Sequence, residues 1–392
     1  MTQNNKLDFI DQIINERKSN NRYRTLKTTT PVSEVEVMIS GKSMINFSSN
    51  DYLGLSKHPL LKQRSKDWIE QYGNGSTGSR LICGTFDCID RLEKKLARLK
   101  LTESSLILNT GFQTNISIIP ALADNNTLIL SDELNHNSII QGCILARCDK
   151  VAYRHNDIEH LKELLLNNQQ KDYSRIIIIS ETVFSMDGDR CDLQALQQLS
   201  NQFNAILILD EAHATGVLGE KGMGLACKGS ADIIIGTFGK ACGSFGAYVA
   251  CSAKIRNYLI NYCTGFVFTT ALPPAVLGAI DGALDLIPQL HVERQELHKK
   301  AEFLRQSLSK LGFDTGNSST QIVPVILGDE VATIKAAQML EASGILATAI
   351  RPPTVPLGQS RIRIALSSSH SWDQVKKLII LFEELRHENS TA

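Results

Sequence analysis

The stretch that decides the fold is Ile233-Ile234-Ile235-Gly236-Thr237-Phe238-Gly239-Lys240, where an apolar β-branched run passes into a glycine-containing loop that ends in lysine. A second run, Ala205-Ile206-Leu207-Ile208-Leu209, ends in Asp210-Glu211-Ala212-His213. Continuous apolar runs of this length are typical of strands that are covered on both faces, as in a parallel sheet. The pattern therefore predicts an amine and a carboxylate at the ends of two buried strands.

The residue types at these two positions indicate a particular cofactor chemistry. An amine placed where a buried strand gives way to a flexible loop suits an imine-forming nucleophile, which is the role predicted for Lys240. A carboxylate at the end of a neighbouring strand suits a protonated pyridine nitrogen, because a fixed negative charge keeps that nitrogen protonated. The ordered pair of Lys240 and Asp210 therefore predicts a pyridoxal phosphate (PLP) site, although neither residue alone is informative.

The alternation of apolar runs with helical patterns predicts an α/β architecture. Further strand-like runs lie at 106–108, 127–130 and 175–179, and segments with helical spacing lie between them, as at 88–99 and 158–166. Such alternation is typical of a mostly parallel sheet with crossover helices. We predict a large domain over residues 50–285.

The remainder of the chain predicts a smaller α/β domain over residues 286–392. A long connecting helix is expected over 279–311, which is rich in Leu, Glu, Arg and Lys. Residues 1–49 are expected to pack with the small domain. The predicted elements that follow the connecting helix are strands at 322–327 and 361–366, a helix at 331–343 that ends before Gly344, and a last helix that begins with the capping-box pattern Ser371-Trp372-Asp373-Gln374.

Composition restricts the partners and the compartment. Lysine plus arginine (41) equals aspartate plus glutamate (41) in the 392 residues, so no overall field favours nucleic acid or an anionic membrane. The nine cysteines show no Cys-x-x-Cys spacing and are predicted to be reduced thiols. A polar stretch over 1–20 and the lack of an apolar run of ~20 residues predict no secretory signal and no membrane span. We expect a cytoplasmic protein.

A phosphate site is predicted at the start of one helix. Asn109-Thr110-Gly111-Phe112-Gln113-Thr114 follows an apolar run and opens a helical segment, and the N–H groups of a helix N-terminus attract anions. This segment and the hydroxyl of Thr237, three residues before Lys240, are predicted to hold the phosphate, although Thr237 taken alone is equally consistent with an ordinary strand threonine. An ordinary strand-to-helix turn is the alternative interpretation of this motif.

Three further polar residues follow predicted strands at the same edge. His136 is predicted to stack on the cofactor ring, because ligands lie outside the carboxyl edge of an α/β sheet. Ser185 is predicted to bind the 3′-oxygen of the ring, and His213 is predicted to reach the same oxygen or the ring face. Taken alone, His136 is more often a surface or core histidine, and Asp187-Gly188 is an ordinary turn signal.

Other cofactor classes are disfavoured by the same motifs. A His/Asp metal site near Asp210 lacks a third ligand at useful spacing. The glycines around Lys240 do not follow the dinucleotide-binding order, and Gly73-Asn74-Gly75-Ser76-Thr77-Gly78-Ser79-Arg80 is not followed by the Gly-Lys-Ser/Thr of a nucleotide-binding loop.

Arginines near the C-terminus are candidate carboxylate ligands. Arg361 and Arg363 alternate with isoleucines and so share one face of a strand. A guanidinium on that face binds a carboxylate in bidentate fashion if the face borders the site, whereas a solvated strand face is the alternative. Arg351, in the rigid segment Arg351-Pro352-Pro353-Thr354-Val355-Pro356, is a further candidate.

The chain resembles the α-oxoamine synthases, which are fold-type I PLP-dependent transferases. The resemblance runs from Asn46-Phe47-Ser48-Ser49-Asn50-Asp51-Tyr52-Leu53-Gly54-Leu55 to Arg363 and includes Asp210-Glu211-Ala212-His213-Ala214-Thr215-Gly216 and Thr237-Phe238-Gly239-Lys240. The segment 348–356 is most similar to members that condense L-alanine with a pimeloyl thioester, carried on coenzyme A or acyl-carrier protein, in biotin synthesis. The resemblance implies this acyl transfer, with loss of carbon dioxide.

The resemblance also implies roles for individual residues. Lys240 would hold the cofactor and move a proton at the substrate Cα, with Asp210 on the pyridinium. Thr270 would reach the phosphate of the neighbouring subunit, which implies a homodimer with the active site at the subunit interface. The N–H groups of Gly111 and Phe112, with Thr237, would cradle the phosphate. The implied substrate contacts are Arg363 as the carboxylate clamp, Asn50, and either Arg24 or Arg22.

Two departures from the family pattern leave the acyl donor open. Cys242 stands where a small or apolar residue is expected, and Arg80 is absent from some members of the subgroup. The alternative functions for this chain are those of enzymes that join glycine or serine to acetyl-, succinyl- or palmitoyl-CoA, of an autoinducer-type synthase, or of a non-catalytic PLP-binding protein.

Overall fold

The computed structural model describes residues 6–227 and 229–391. Its helices and strands alternate along most of the chain. The helices are α1 (Asp8–Ser19), α2 (Pro59–Tyr72), α3 (Asp87–Lys100), α4 (Gly111–Leu122), α5 (Asn137–Leu145), α6 (Ile158–Asn168), α7 (Leu193–Gln202), α8 (Ala253–Tyr262), α9 (Thr264–Val267), α10 (Pro274–Leu286), α11 (His291–Lys310), α12 (Glu330–Ala342) and α13 (Trp372–Thr391). The strands are β1 (Thr30–Pro31), β2 (Glu36–Ile39), β3 (Lys42–Asn46), β4 (Ser104–Leu108), β5 (Thr127–Asp132), β6 (Asp149–Tyr153), β7 (Arg175–Glu181), β8 (Ile206–Asp210), β9 (Ile233–Thr237), β10 (Ala247–Cys251), β11 (Ile322–Gly328), β12 (Ile345–Leu346), β13 (Thr348–Ile350) and β14 (Ser360–Ala365).

The chain divides into two compact units. The larger unit comprises 50–299 and 367–369, and the smaller comprises 300–366, 370–392 and the residues up to Ser49. The first boundary coincides with the predicted one after residue 49. The second lies within α11, later than the predicted boundary after residue 285.

A seven-stranded sheet forms the centre of the larger unit, in the order β4-β10-β9-β8-β7-β5-β6. β5, β6, β7, β8 and β9 pair in parallel, whereas β10 runs antiparallel to both β4 and β9. Ile177, Ile208 and Ile233 are fully buried in this sheet, against a helix layer that includes Ile118 and Leu259. These are the continuous apolar runs that the sequence predicts to be strands, and the mostly parallel sheet is confirmed.

The smaller unit contains two small sheets. One has the order β1-β2-β3-β12, in which β3 and β12 pair in parallel, and the other has the order β11-β14-β13 with antiparallel pairing. The early strands β1, β2 and β3 therefore share a sheet with β12, from the C-terminal part of the chain. The capping box before α13 is present, because Ser371 Oγ accepts from Gln374 N–H at 3.1 Å and Gln374 Oε1 accepts from Ser371 N–H at 2.9 Å.

The predicted continuous helix over 279–311 is wrong. α10 ends at Leu286, a 3₁₀ turn occupies Ile287–Gln289, and α11 begins at His291. Pro288 explains the break, because proline has no N–H and its ring clashes with the carbonyl one turn earlier. β6 and β10 were also missed: β6 begins with the charged residues Asp149 and Lys150, whereas β10 is an apolar run that was not singled out.

Among the described residues, no single helix is long and apolar enough to cross a membrane, although the bent pair Pro274–Gln289 and His291–Lys310 passes the same test of length and composition.

Candidate active site

The carboxyl ends of the parallel strands bring the predicted site residues to one edge of the large sheet. In the strand register Glu181 of β7 lies opposite Asp210 of β8, and Asp210 lies opposite Ile235 of β9. The loops that follow these strands carry Ser185, His213 and Lys240. Because parallel strands all end at the same edge, residues far apart in the chain become neighbours there.

Lys240 and His213 are directly connected. Nζ of Lys240 lies 2.7 Å from Nε2 of His213, and Nδ1 of His213 lies 2.6 Å from the hydroxyl of Tyr52. The same hydroxyl donates to Oδ1 of Asn50 at 3.0 Å. Tyr52 is completely buried and His213 is 4% exposed. The predicted residues Asn50, His213 and Lys240 are therefore part of one hydrogen-bonded chain, in which Tyr52 is the central link.

Asp210 is a buried carboxylate that is held by defined donors. Oδ2 accepts from Nδ2 of Asn115 at 2.8 Å, and Oδ1 accepts from the N–H of Ala212 at 2.8 Å. Nδ2 of Asn115 also donates to Oγ of Ser138 at 3.0 Å, and that hydroxyl lies 2.7 Å from Nδ1 of His136. Asn115 therefore connects the two predicted cofactor residues, Asp210 and His136.

His136 and Glu181 both have shifted pKa values. Burial lowers the pKa of His136; the positive charge of Lys240 adds to this effect, while the negative charge of Asp210 opposes it. Burial, and then the negative charge of Asp210, raise the pKa of Glu181 well above its ordinary value. An oxygen of Glu181 accepts the backbone N–H of His136. The site therefore favours a neutral imidazole at His136 and a protonated carboxyl at Glu181.

The predicted phosphate site lies at the start of α4. This helix begins at Gly111, and Oγ1 of Thr110 caps it by accepting from the N–H of Gln113 at 3.0 Å. A Cβ atom on Gly111 would lie 3.9 Å from Cβ of Thr237, so this threonine adjoins the helix N-terminus. Thr237 Oγ1 itself accepts from Gly239 N–H at 3.1 Å and donates to the carbonyl of Gly246 at 2.9 Å.

The remaining predicted cofactor residues occupy the loops around this edge. Ser185 is buried in the turn after β7, and Phe112 is half-exposed in the first turn of α4. Thr270 is exposed, and its carbonyl accepts from Nδ2 of Asn109 at 2.8 Å. Taken together, an amine, a buried carboxylate and a helix N-terminus with an adjoining hydroxyl fit the imine, pyridinium and phosphate requirements of PLP.

A buried ion pair lies directly beside Asp210. Lys100 and Glu211 are both completely buried, and Nζ of Lys100 contacts Oε2 of Glu211 at 2.5 Å. The same ammonium donates to the carbonyls of Met223 and Ala226 at 2.6 and 2.7 Å, so its three donors are satisfied. The other oxygen of Glu211 accepts from Ala226 N–H at 2.7 Å. This network fixes the chain immediately after Asp210.

The predicted substrate arginines belong to the smaller unit. Arg361 and Arg363 are buried in β14, and Arg363 lies opposite Pro324 and Thr348 in the sheet register. Arg24 donates to the hydroxyl of Thr354 at 3.0 Å, and Arg351 donates to the carbonyl of Asn21.

Arg24 and Arg351 line a cavity of about 830 Å³ within the smaller unit. Burial, and then the positive charge of Arg24, lower the pKa of Arg351. Arg22 and Lys27, which line the same cavity, are paired with Glu330 and Glu341. No carboxylate among the described residues pairs with Arg24 or Arg351. These two guanidinium groups therefore form a cationic lining that favours an anion.

Several residues of the site were not predicted. Tyr52, Asn115, Ser138 and Glu181 make the contacts described above, yet none belongs to a motif that indicates a cofactor role by itself. Tyr52 lies in the quoted segment 46–55, where the adjacent Asn50 was the only residue singled out. Among the described residues, no cluster of three or more His, Cys, Asp or Glu side chains is arranged to hold a metal ion.

The chain matches the family model of the class I and II aminotransferases over residues 42–380 and belongs to this family of PLP-dependent enzymes. It is 52% identical to the putative 8-amino-7-oxononanoate synthase of Desulfosudis oleivorans, over 96% of this chain and 98% of the relative. It is 46% identical to the 8-amino-7-oxononanoate synthase of Gluconacetobacter diazotrophicus, over 94% of each chain.

Solved structures of the same fold agree with these matches. The serine palmitoyltransferase of Sphingomonas wittichii superposes with a TM-score of 0.92 at 29% identity, over 99% of each chain. The 8-amino-7-oxononanoate synthase of Francisella tularensis superposes with a TM-score of 0.76 at 26% identity, over 88% of this chain and 99% of that structure. The predicted α-oxoamine synthase resemblance, the fold-type I class and the PLP cofactor are confirmed.

Proposed function

We propose that this protein catalyses the decarboxylative condensation of L-alanine with a pimeloyl thioester to give 8-amino-7-oxononanoate, a reaction of biotin biosynthesis. The observation that carries the proposal is a pair of hydrogen-bonded groups at one sheet edge: Lys240 with His213, and Asp210 with His136 through Asn115 and Ser138. These groups are found in a chain about half identical to relatives named for that reaction. A non-catalytic protein has no need to keep the amine and the buried carboxylate together.

The reaction has a simple balance of bonds. A carbon–carbon bond forms between Cα of alanine and the thioester carbonyl carbon, and the carbon–sulfur bond breaks so that the thiol leaves. The alanine carboxyl group then leaves as carbon dioxide, and a proton replaces it at Cα. PLP, when bound, supplies the electron sink that makes removal of the Cα proton possible.

The side chains of the site have separate roles in these steps. Lys240 takes the proton from Cα and later returns it. Nε2 of His213 forms a hydrogen bond with the Lys240 amine at 2.7 Å. Tyr52 holds the other ring nitrogen of His213 and so fixes its tautomer. Asp210 would pair with the ring nitrogen of the cofactor, and Asn115 orients this carboxylate by donating to Oδ2 at 2.8 Å.

Cofactor and substrate binding complete the proposal. His136 stacks on the cofactor ring, Ser185 and His213 bind its 3′-oxygen, and the phosphate lies against Gly111, Phe112 and Thr237. We assign Arg363 to the carboxylate of alanine, and Asn50 to a further substrate contact.

The carboxylate end of the acyl donor is assigned to Arg24 and Arg351, which line the cavity of the smaller unit and have no carboxylate partner among the described residues. Arg22 is a weaker candidate, because Glu330 already pairs with it. Two guanidinium groups that repel each other gain stability when an anion binds between them.

We further propose a homodimer in the cytoplasm. Thr270 would contribute to the phosphate site of the partner subunit, which makes the dimer the functional unit. Its exposed position supports this assignment.

The test is a product assay with the purified holoenzyme. L-Alanine and pimeloyl-CoA, or pimeloyl-acyl-carrier protein, should give 8-amino-7-oxononanoate by mass spectrometry together with one equivalent of carbon dioxide. Lys240→Ala should abolish the product. A preference for glycine or serine with another acyl-CoA would assign the chain to a different α-oxoamine synthase, and no condensation with any pair would refute the enzymatic role.

A further inference from the structure

A histidine outside the predicted site connects two of its loops. His155 lies directly after β6, and its ring binds a carboxylate at each nitrogen. Nδ1 lies 2.9 Å from Oδ1 of Asp132, and Nε2 lies 2.8 Å from Oδ2 of Asp189. Both aspartates are buried, with exposures of 1% and 5%. A single imidazole therefore bridges two buried carboxylates.

The two aspartates lie in the loops that carry two proposed cofactor residues. Asp132 ends β5 and precedes His136 by four positions, while Asp189 follows Ser185 by four positions. Asp132 accepts the N–H of Leu134 at 2.9 Å, which shapes the chain that leads to His136. His155 thus holds the loop after β5 and the loop after β7 at once.

The contacts of the β7 loop point to the same connection. The N–H of Phe184 donates to the carbonyl of Asp189 at 3.1 Å and closes the turn that contains Ser185. The ring of Phe184 packs edge-on against His155, with ring centres 4.4 Å apart and planes at 88°. Nδ2 of Asn156 gives Asp189 a second donor at 2.8 Å. Both ends of the Ser185 turn are therefore in contact with the connection that follows β6.

The charge of the bridge is well defined. Burial alone lowers the pKa of an imidazole, but the hydrogen bonds and negative charges of Asp132 and Asp189 outweigh it and raise the pKa of His155 to about 10. An imidazolium donates from both ring nitrogens, which is what two carboxylate partners require. Charge-assisted hydrogen bonds of this kind are stronger than neutral ones.

We propose that His155 is a positioning residue for the cofactor site: by bridging Asp132 and Asp189, it sets the loop that carries His136 against the loop that carries Ser185. The inference rests on the cofactor roles proposed above for His136 and Ser185. It assigns His155 no contact with substrate or cofactor.

The test uses two conservative variants that each keep one half of the bridge. An asparagine amide can replace the Nδ1 donor and a glutamine amide the Nε2 donor. His155→Asn therefore keeps the contact with Asp132, and His155→Gln keeps the contact with Asp189. His160→Asn is the matched control: among the described residues the His160 ring bonds locally, by accepting the N–H of Arg154 at Nδ1, and the asparagine oxygen can replace that acceptor.

Hydrogen exchange of the holoenzyme, followed by mass spectrometry, measures the backbone protection of each of the two loops separately. We expect His155→Gln to lose protection at 132–136 and His155→Asn to lose protection at 185–189, whereas His160→Asn should change neither segment. Equal loss at both segments in both variants, or no loss in either, would overturn the bridge.

The cofactor readouts separate positioning from a merely structural role. We expect both variants to change the visible circular dichroism of bound PLP and to lower kcat about tenfold, because small misplacements of positioned groups are costly. The midpoint of urea unfolding reports global stability independently. If the loops loosen while the dichroism and kcat stay at wild-type values, His155 has no positioning role.

The same assays on His136→Ala and Ser185→Ala test the underlying proposal. If these variants alter PLP binding and the His155 variants do not, only the positioning inference fails. If His136→Ala and Ser185→Ala leave the dichroism and PLP affinity unchanged, the proposed cofactor roles fail instead.

Discussion

The hydroxyl of Tyr52 lies 2.6 Å from Nδ1 of His213, and the opposite ring nitrogen of that histidine lies 2.7 Å from Nζ of Lys240. The contact joins a residue near the start of the larger unit to the loop after β8. A histidine bound at both nitrogens has a defined tautomer and ring orientation. The protonation of the Lys240 amine is thereby coupled to a tyrosine that makes no covalent or ionic contact with it.

Replacing Tyr52 by phenylalanine should impair the reaction more than it impairs the fold. The change leaves Nδ1 of His213 without this partner, so we expect kcat/KM for alanine to fall about tenfold or more, as for a displaced acid–base group. The free energy of unfolding should fall by about 1 kcal/mol, the typical net worth of one hydrogen bond.

Steady-state kinetics and urea unfolding of the holoenzyme measure these two effects. Tyr72→Phe is the control, because the Tyr72 hydroxyl bonds to Arg91 at 2.9 Å and to Asp87 on an exposed helix surface away from the site. A Tyr52→Phe enzyme with wild-type kcat/KM would show that the tautomer of His213 does not depend on this hydroxyl.

Removing one partner of the buried pair between Lys100 and Glu211 should be strongly destabilising. An unpaired buried charge costs about 3–5 kcal/mol, so Lys100→Met should lower the free energy of unfolding by that order. The double variant Lys100→Met/Glu211→Gln should recover part of the loss, because it removes both charges.

Denaturant unfolding of the apoprotein gives these free energies directly. Lys94→Met on the same helix is the control, since its pair with Asp90 is exposed and such pairs are worth about 0.5 kcal/mol or less. Equal losses for Lys100→Met and Lys94→Met would contradict the assignment of a buried charge network behind Asp210.

Asn115→Leu should weaken PLP binding. The change removes the donor to Oδ2 of Asp210, and a hydrogen bond to a charged group is worth about 1.5–3 kcal/mol. We expect the dissociation constant of PLP to rise about tenfold or more. Absorbance titration measures this constant, and Asn168→Leu, whose amide bonds only within its own helix, should bind PLP as the wild type does.

The bridge at His155 should make stability depend on pH in a defined window. An unfolded histidine loses its proton near pH 6.5, whereas the carboxylates raise the pKa of folded His155 to about 10. The stability that the bridge contributes is therefore complete below about pH 6.5 and is lost as the pH rises toward 10. The charged groups that face His155 are Asp132, Asp189 and Glu133, and all three are carboxylates.

Urea unfolding of wild type and His155→Gln at pH 6, 7.5 and 9 measures this effect as a difference. The advantage of the wild type should shrink steadily as the pH rises. An advantage that grows or stays constant across the series would mean that His155 is not charged in the folded protein.

Most elements of the larger unit were predictable from the sequence, whereas strand β10 and the break between α10 and α11 were not. Buried parallel strands such as β7, β8 and β9 are continuous apolar runs, which local pattern reveals. β10 is a buried apolar run of five residues that was not singled out in the sequence, and its antiparallel pairing with β4 and β9 is a property of the sheet. The break at Pro288 was missed because helical composition continues on both sides of it.

Motif positions also placed the principal site residues, because each motif follows a strand whose end lies at the same sheet edge. Lys240, Asp210 and His213 were identified from residues within a few positions of them. The sequence alone therefore determined the fold class and the cofactor, and it predicted residues that the structure places at one sheet edge.

Only the tertiary structure decided which residues support these groups. Tyr52 binds His213 across 161 positions, Asn115 binds Asp210 across 95, and Lys100 binds Glu211 across 111. A hydrogen bond needs its partner within about 3 Å and at the correct angle, and chain separation carries no information about either. These partners became visible only when the packed sheet brought distant segments together.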